Sequence, residues 1–107
     1  MCGTVGYVGN KKNIPVTLIE GLKRLEYRGY DSAGLALGMS SGIEVLKSPG
    51  KVAELEAKMK ASWKGDKYKK AAVGIAHTRW ATHGPPNEVN AHPHSDYRNR
   101  IALVHNG

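Results

Sequence analysis

Two short apolar runs, Ala33 to Leu37 and Ile43 to Leu46, flank the turn-forming triplet Ser40-Ser41-Gly42 near the middle of the chain. That pattern predicts an antiparallel hairpin, and a hairpin at the centre constrains the fold more than any other feature. The flanks agree with it. Residues 3–8 alternate small and β-branched side chains and end at Gly9-Asn10, which predicts a strand and a turn. From Asn13 the period becomes helical. Asn13 is a candidate N-cap, Pro15 suits the first turn, and Leu18, Leu22 and Leu25 share one stripe with Ile19 beside it. Gly29 is the expected stop signal. Val52, Leu55, Ala57 and Met59 predict a second, less regular helix over 51–62. Val73 to His77 and Ile101 to His105 are further strand candidates. Hairpin-joined strands with helices outside them predict an α+β fold rather than a doubly wound parallel sheet. Gly3-x-x-Gly6-x-x-Gly9 lies within the first strand, not between strand and helix, and so is not a dinucleotide fingerprint.

The 107 residues suffice for one ordinary domain or a piece of one. The run ending at Gly107 stops at an apolar strand without a polar tail, so the expectation is an N-terminal part of a domain, residues 1–107, truncated at its C-terminal end. No apolar run approaches the roughly 20 residues of a membrane span, and the start lacks a signal-peptide pattern. With one cysteine there is no intramolecular disulfide, which fits a reducing compartment, and a cytoplasmic location is the expectation. The formal charge of +7 raises the question of nucleic acid, but the cations are dispersed. Lys11 and Lys12 sit in a turn. Lys64, Lys67, Lys69 and Lys70 fall in a polar connection with Trp63 and Tyr68, a pattern that could stack bases but reads first as a solvated segment.

The lone cysteine, Cys2, follows the initiator methionine directly and precedes Gly3. Methionine removal is favoured before a small residue, so Cys2 would come to carry both a thiol and a free α-amine. The thiolate is the reactive form, and an amine that titrates near neutrality suits a general base. The bland reading is a small residue without chemistry.

Three further segments hold chemistry. His77-Thr78-Arg79-Trp80-Ala81-Thr82-His83-Gly84 is a strand running into a polar loop. Arg79 there can pair bidentately with a carboxylate, Thr82 and His83 add polar groups, and Trp80 can wall or close a pocket, or simply stack on the arginine. Asn106-Gly107 can direct an amide and a backbone N–H at a developing oxyanion, though the same pair is the commonest hairpin turn. Arg28 and Asp31, in the connection after the first helix, can pair locally or buttress the chain start. His92-Pro93-His94 invites a metal reading. It is disfavoured, since zinc sites need three or four ligands in compatible geometry and the thiol is remote in sequence.

Met1-Cys2-Gly3-Thr4-Val5-Gly6, Leu25-Glu26-Tyr27-Arg28-Gly29-Tyr30-Asp31-Ser32-Ala33-Gly34, the His77–Gly84 segment, Asn90-Ala91-His92-Pro93-His94 and His105-Asn106-Gly107 together resemble the glutaminase domain of the class II glutamine amidotransferases, which are N-terminal-nucleophile hydrolases. Two of these segments, Glu26–Gly34 and His77–Gly84, look like the branch that aminates fructose 6-phosphate. Phosphoribosyl amidotransferases, the nearest alternative, usually carry a His-Arg-Gly-Gln type segment in place of the latter. The resemblance implies a four-layer αββα sandwich with antiparallel sheets, of which this chain supplies part. It implies Cys2 as nucleophile with its own α-amine as base, and Asn106 and Gly107 as the oxyanion hole. Arg79, Thr82 and His83 would hold the α-carboxylate end of L-glutamine, Trp80 would close the pocket, and Arg28 would support it. It implies ammonia passed to fructose 6-phosphate in a homo-oligomer, with no cofactor, metal, nucleic acid or membrane. Thr4 departs from the pattern, which usually has isoleucine, and its hydroxyl must find a partner. The acidic contact to the substrate amine would lie beyond Gly107, so the isolated 107 residues are expected to be inactive or poorly folded. A rival from another class is a small basic module for nucleic acid or metal.

Overall fold

A computed structural model describes residues 2–26, 30–80 and 85–105. Strand β1 spans Gly3–Val8 and is followed by helix α1, Ile14–Leu25. The hairpin comes next, β2 over Ser32–Met39 and β3 over Gly42–Pro49, then helix α2 over Val52–Ser62. A 3-10 turn at Tyr68–Lys70 leads into β4, Val73–Arg79. Two short strands, β5 (His94–Ser95) and β6 (Ala102–Leu103), complete the described elements.

The central sheet has the order β1-β4-β2-β3, with every neighbouring pair antiparallel. The hairpin register sets Met39 opposite Gly42, leaving Ser40 and Ser41 as the turn. Gly42, at φ 131°, takes a backbone conformation that side-chained residues rarely adopt.

Strand alternation divides the sheet into two faces. Ala33, Leu35, Leu37, Leu46 and Ala76 meet Ile14, Leu18, Ile19 and Leu22 of α1 and Val52, Leu55 and Met59 of α2. Both helices therefore lie on the same face. Burying a leucine or isoleucine there contributes about 1.5–3 kcal/mol relative to exposure. The spacing of Ile14, Leu18 and Leu22 gives α1 its stripe, and Lys23 and Arg24 in its last turn complement the helix dipole. Trp63 and Tyr68 stack at 5.3 Å and pack against this core. These aromatics consolidate the fold and do not stand free as a base-stacking platform.

The second face carries Gly34, Ala36 and Gly38 of β2 and Ile75 and His77 of β4. The segment around His92 crosses it, and a Cβ at Gly34 would collide with the His92 carbonyl oxygen. Asn99 accepts the Ile43 N–H at 3.0 Å, and Ala102 of the β5–β6 ribbon lines a 140 Å³ hollow with Ala36 and Ile75. Helices, a four-stranded sheet and a short second ribbon are thus layered in the α+β manner anticipated.

Three details differ from the sequence reading. Asn13 occupies the N-cap position in a left-handed conformation (φ 59°) and makes no side-chain capping bond; its backbone N–H instead donates to Lys69 O at 2.9 Å. β4 runs two residues further, to Arg79, because Ser32 and Gly3 pair with its final residues. The strand expected over 101–105 pairs only at Ala102 and Leu103, since Asp96 turns the chain sharply by accepting the N–H groups of Arg100 and Ile101 on Oδ1. The anticipated helix stop at Gly29 lies outside the described residues.

Candidate active site

The antiparallel pairing of β1 with β4 sets Gly3 opposite Thr78, which brings the start of the chain to the C-terminal end of β4. Two contacts fasten it there. The Gly3 N–H donates to Thr78 Oγ1 at 3.1 Å, and the Trp80 N–H donates to Cys2 Sγ at 3.2 Å. The thiol also lies 3.8 Å from the Trp80 carbonyl oxygen as a donor. Cys2, 78 positions away in sequence, is thereby held against the backbone of the residue that follows Arg79. Trp80 is 50% exposed and stands at the lip beside the sulfur.

Arg79 is only 4% exposed, and its Nη1 donates to Pro85 O at 3.4 Å. Its carbonyl accepts the Asp31 N–H at 2.8 Å, and the Asp31 carbonyl accepts the Gly50 N–H at 2.9 Å. The end of β4 is thus braced from the start of β2 and the end of β3. The structure thus brings Cys2 against Trp80, the residue that follows Arg79. Arg28, Thr82, His83, Asn106 and Gly107 lie outside the described residues.

Beneath the strand ends sits a histidine cluster that sequence reasoning did not assemble. The rings of His77 and His92 are 4.8 Å apart, and those of His92 and His94 are 4.5 Å apart. The sequence does not require His92 and His94 to converge, but the fold brings them together. Thr4 Oγ1 lies at hydrogen-bond distance, 3.0 Å, from His77 Nδ1, which supplies the partner its hydroxyl required. His92 Nδ1 accepts the His105 N–H at 3.1 Å. His77 Nε2 is buried without a hydrogen-bond partner. Among the described residues, no three His, Cys, Asp or Glu side chains are arranged to hold a metal ion.

Burial, and then the neighbouring Arg79 guanidinium, push the His77 pKa down to about 4. Burial pushes His92 down to about 4 as well, reinforced by His77, His94, Arg79 and Lys47. His94 is lowered by burial and by Lys47 and Arg79. Histidines of the unfolded chain titrate near their ordinary value of about 6.5, so unfolding takes up protons in the intervening range. Depressed folded-state values mean that stability is fully present above pH ~6.5 and declines as pH falls towards about 4. Amide exchange across the β1–β4 pairing is expected to accelerate over that interval. A pH-independent exchange free energy there would refute a cluster held neutral by the fold.

Thr78 was also missed, although the pairing that sets it opposite Gly3 follows once β1 and β4 are recognised as neighbours. Among the described residues, no helix is long and apolar enough to cross a membrane.

No family model matches the chain. Over all its residues it is 52% identical to glutamine--fructose-6-phosphate aminotransferase [isomerizing] of Gloeobacter violaceus, 56% to that of Bacteroides thetaiotaomicron and 54% to one from Thermus thermophilus. The chain spans 17% of the length of each of these relatives. Among solved structures, glutamine phosphoribosylpyrophosphate amidotransferase from B. subtilis superposes with a TM-score of 0.63 at 24% identity, covering 92% of this chain and 20% of that one. The α+β architecture with antiparallel sheets is therefore similar in fold to that amidotransferase. Over its whole length the sequence is similar to a small part of the glutamine--fructose-6-phosphate aminotransferases.

Proposed function

We propose that residues 1–107 are the N-terminal part of the glutaminase domain of a glutamine--fructose-6-phosphate aminotransferase. The observation that carries this reading is the Trp80 N–H on Cys2 Sγ at 3.2 Å, which supports a role for the thiol at the end of β4. In the proposed reaction, removal of Met1 frees the Cys2 α-amine, which accepts the thiol proton as sulfur attacks the side-chain amide carbon of L-glutamine. Asn106 and Gly107 hold the tetrahedral oxyanion. The protonated α-amine then gives its proton to the departing nitrogen, and ammonia leaves. Water hydrolyses the γ-glutamyl thioester, releasing glutamate and restoring the thiol.

Arg79, Thr82 and His83 orient the substrate through its α-carboxylate, with Trp80 closing the pocket and Arg28 supporting it. The ammonia passes to fructose 6-phosphate on a part of the protein outside this chain, giving glucosamine 6-phosphate. The proposed setting is a cytoplasmic homo-oligomer. The likeness to the phosphoribosylpyrophosphate enzyme favours a second reading, the glutaminase domain of such an amidotransferase. Identities of 48–56% to the sugar-phosphate aminotransferases favour the first.

An electrophilic glutamine analogue is the direct test. Incubated with the full-length protein, it is expected to add its mass to the peptide beginning at Cys2. Complete inactivation with Cys2 unmodified would remove the proposed nucleophile.

A further inference from the structure

The two lysine pairs that lie far apart in sequence, Lys11-Lys12 and Lys69-Lys70, meet across one cavity of about 520 Å³. It lies between the β1–α1 loop and the 3-10 turn before β4. β1 runs from Gly3 beside the site to Val8 beside this cavity. Six residues of strand at about 3.3 Å each separate the two regions by roughly 17–20 Å. Nothing in the glutamine chemistry uses this end of the sheet.

The fold fixes the cavity walls. The Gly9 N–H donates to Ala72 O at 2.9 Å and the Asn13 N–H to Lys69 O at 2.9 Å, which ties one loop to the other. The Lys11 N–H donates to Tyr7 Oη at 2.8 Å, so the lysine-bearing turn is held from within as well. The charge around the hollow is one-sided. Four lysines and one acidic residue, Asp66, contribute to its walls, and Asp66 stands 3.9 Å from Lys69. No carboxylate of the described residues pairs with Lys11, Lys12 or Lys70. Like charges gathered around a concave surface repel one another and concentrate anions there. A volume of this size falls within the roughly 300–1,000 Å³ typical of small-molecule sites.

We propose that this lysine-lined cavity is a binding site for a phosphorylated small molecule carrying two or more phosphate groups. The concavity favours a compact ligand over a polymer. Nucleic acid is disfavoured because Trp63 and Tyr68, the nearby aromatics, stack on each other and on the core, leaving no free ring for a base. The separation from Cys2 makes the site independent of the proposed glutamine pocket.

Calorimetric titration of the full-length protein with inorganic pyrophosphate tests the assignment. Saturable binding is expected, weakened by rising salt and reduced about tenfold or more in the double variant Lys12→Glu/Lys70→Glu, while glutamine hydrolysis stays at the parental rate. The milder Lys12→Gln/Lys70→Gln pair is expected to show a smaller loss of the same kind and guards against misfolding of the charge-reversed protein. Absence of saturable binding, or binding indifferent to both variants, would overturn the proposal. So would a single-stranded oligonucleotide that binds more tightly as it lengthens and excludes pyrophosphate, since that outcome assigns the lysines to a polymer.

Discussion

Cys2→Ala in the full-length protein is expected to lower glutamine hydrolysis by about four orders of magnitude or more, the scale seen when an enzyme loses its attacking group. The fold should survive. The substitution removes the sulfur that meets the Trp80 N–H, but the Gly3–Thr78 bond and the β1–β4 ladder remain. Ammonia release from glutamine, measured beside thermal unfolding, separates the two effects. Under the proposed function, in which hydrolysis and transfer are distinct steps, the variant should still make glucosamine 6-phosphate when free ammonia is supplied at high concentration. Hydrolysis at the parental rate would eliminate Cys2 as nucleophile. Loss of both activities with an intact fold would point to a further role for this residue in transfer.

The second large effect falls on a residue with no chemistry. Gly34→Ala is expected to destabilise the fold by about 3 kcal/mol, the upper part of the range for overpacked interiors. A methyl there would run into the His92 carbonyl oxygen and lie 3.1 Å from that of Leu46. Backbone cannot turn aside as a flexible side chain can, so either β2 or the segment bearing His92 must move. That segment carries the imidazole that accepts the His105 N–H, one residue before the proposed oxyanion hole. Urea unfolding should register the loss of stability, and hydrolysis should fall with it. A variant as stable as the parent would mean that the second layer is not seated as closely as described.

Local pattern made much of this fold legible. The stripe Ile14, Leu18 and Leu22 predicts α1, and Ser40-Ser41-Gly42 between apolar runs predicts the hairpin, because both signals are carried by residues close in sequence. The end of β4 was not legible. Thr78 and Arg79 read as loop until Gly3 and Ser32 are set beside them, and those pairings span more than 40 residues. The short β6 was overestimated for the converse reason, since its apolar composition does not reveal the turn that Asp96 imposes. In the candidate site, Cys2, Arg79 and Trp80 were named from motif and chemistry, and the structure adds how they meet. The histidine cluster stayed hidden because His77 and His92 come from different layers, and no spacing rule relates them. The basic character of residues 64–70 was visible, but not its convergence with Lys11 and Lys12.

β4 serves two sides at once. His77 looks toward Thr4 and His92, whereas Thr78, its immediate neighbour, takes the Gly3 N–H, and Trp80 beyond them meets the sulfur. A single codon gained or lost between Val73 and Trp80 would therefore exchange inside for outside at every later position of the strand. The Ser40-Ser41 tip carries no such burden and can absorb length variation. Evolution can lengthen this polypeptide at its hairpin far more freely than along the strand that anchors its beginning.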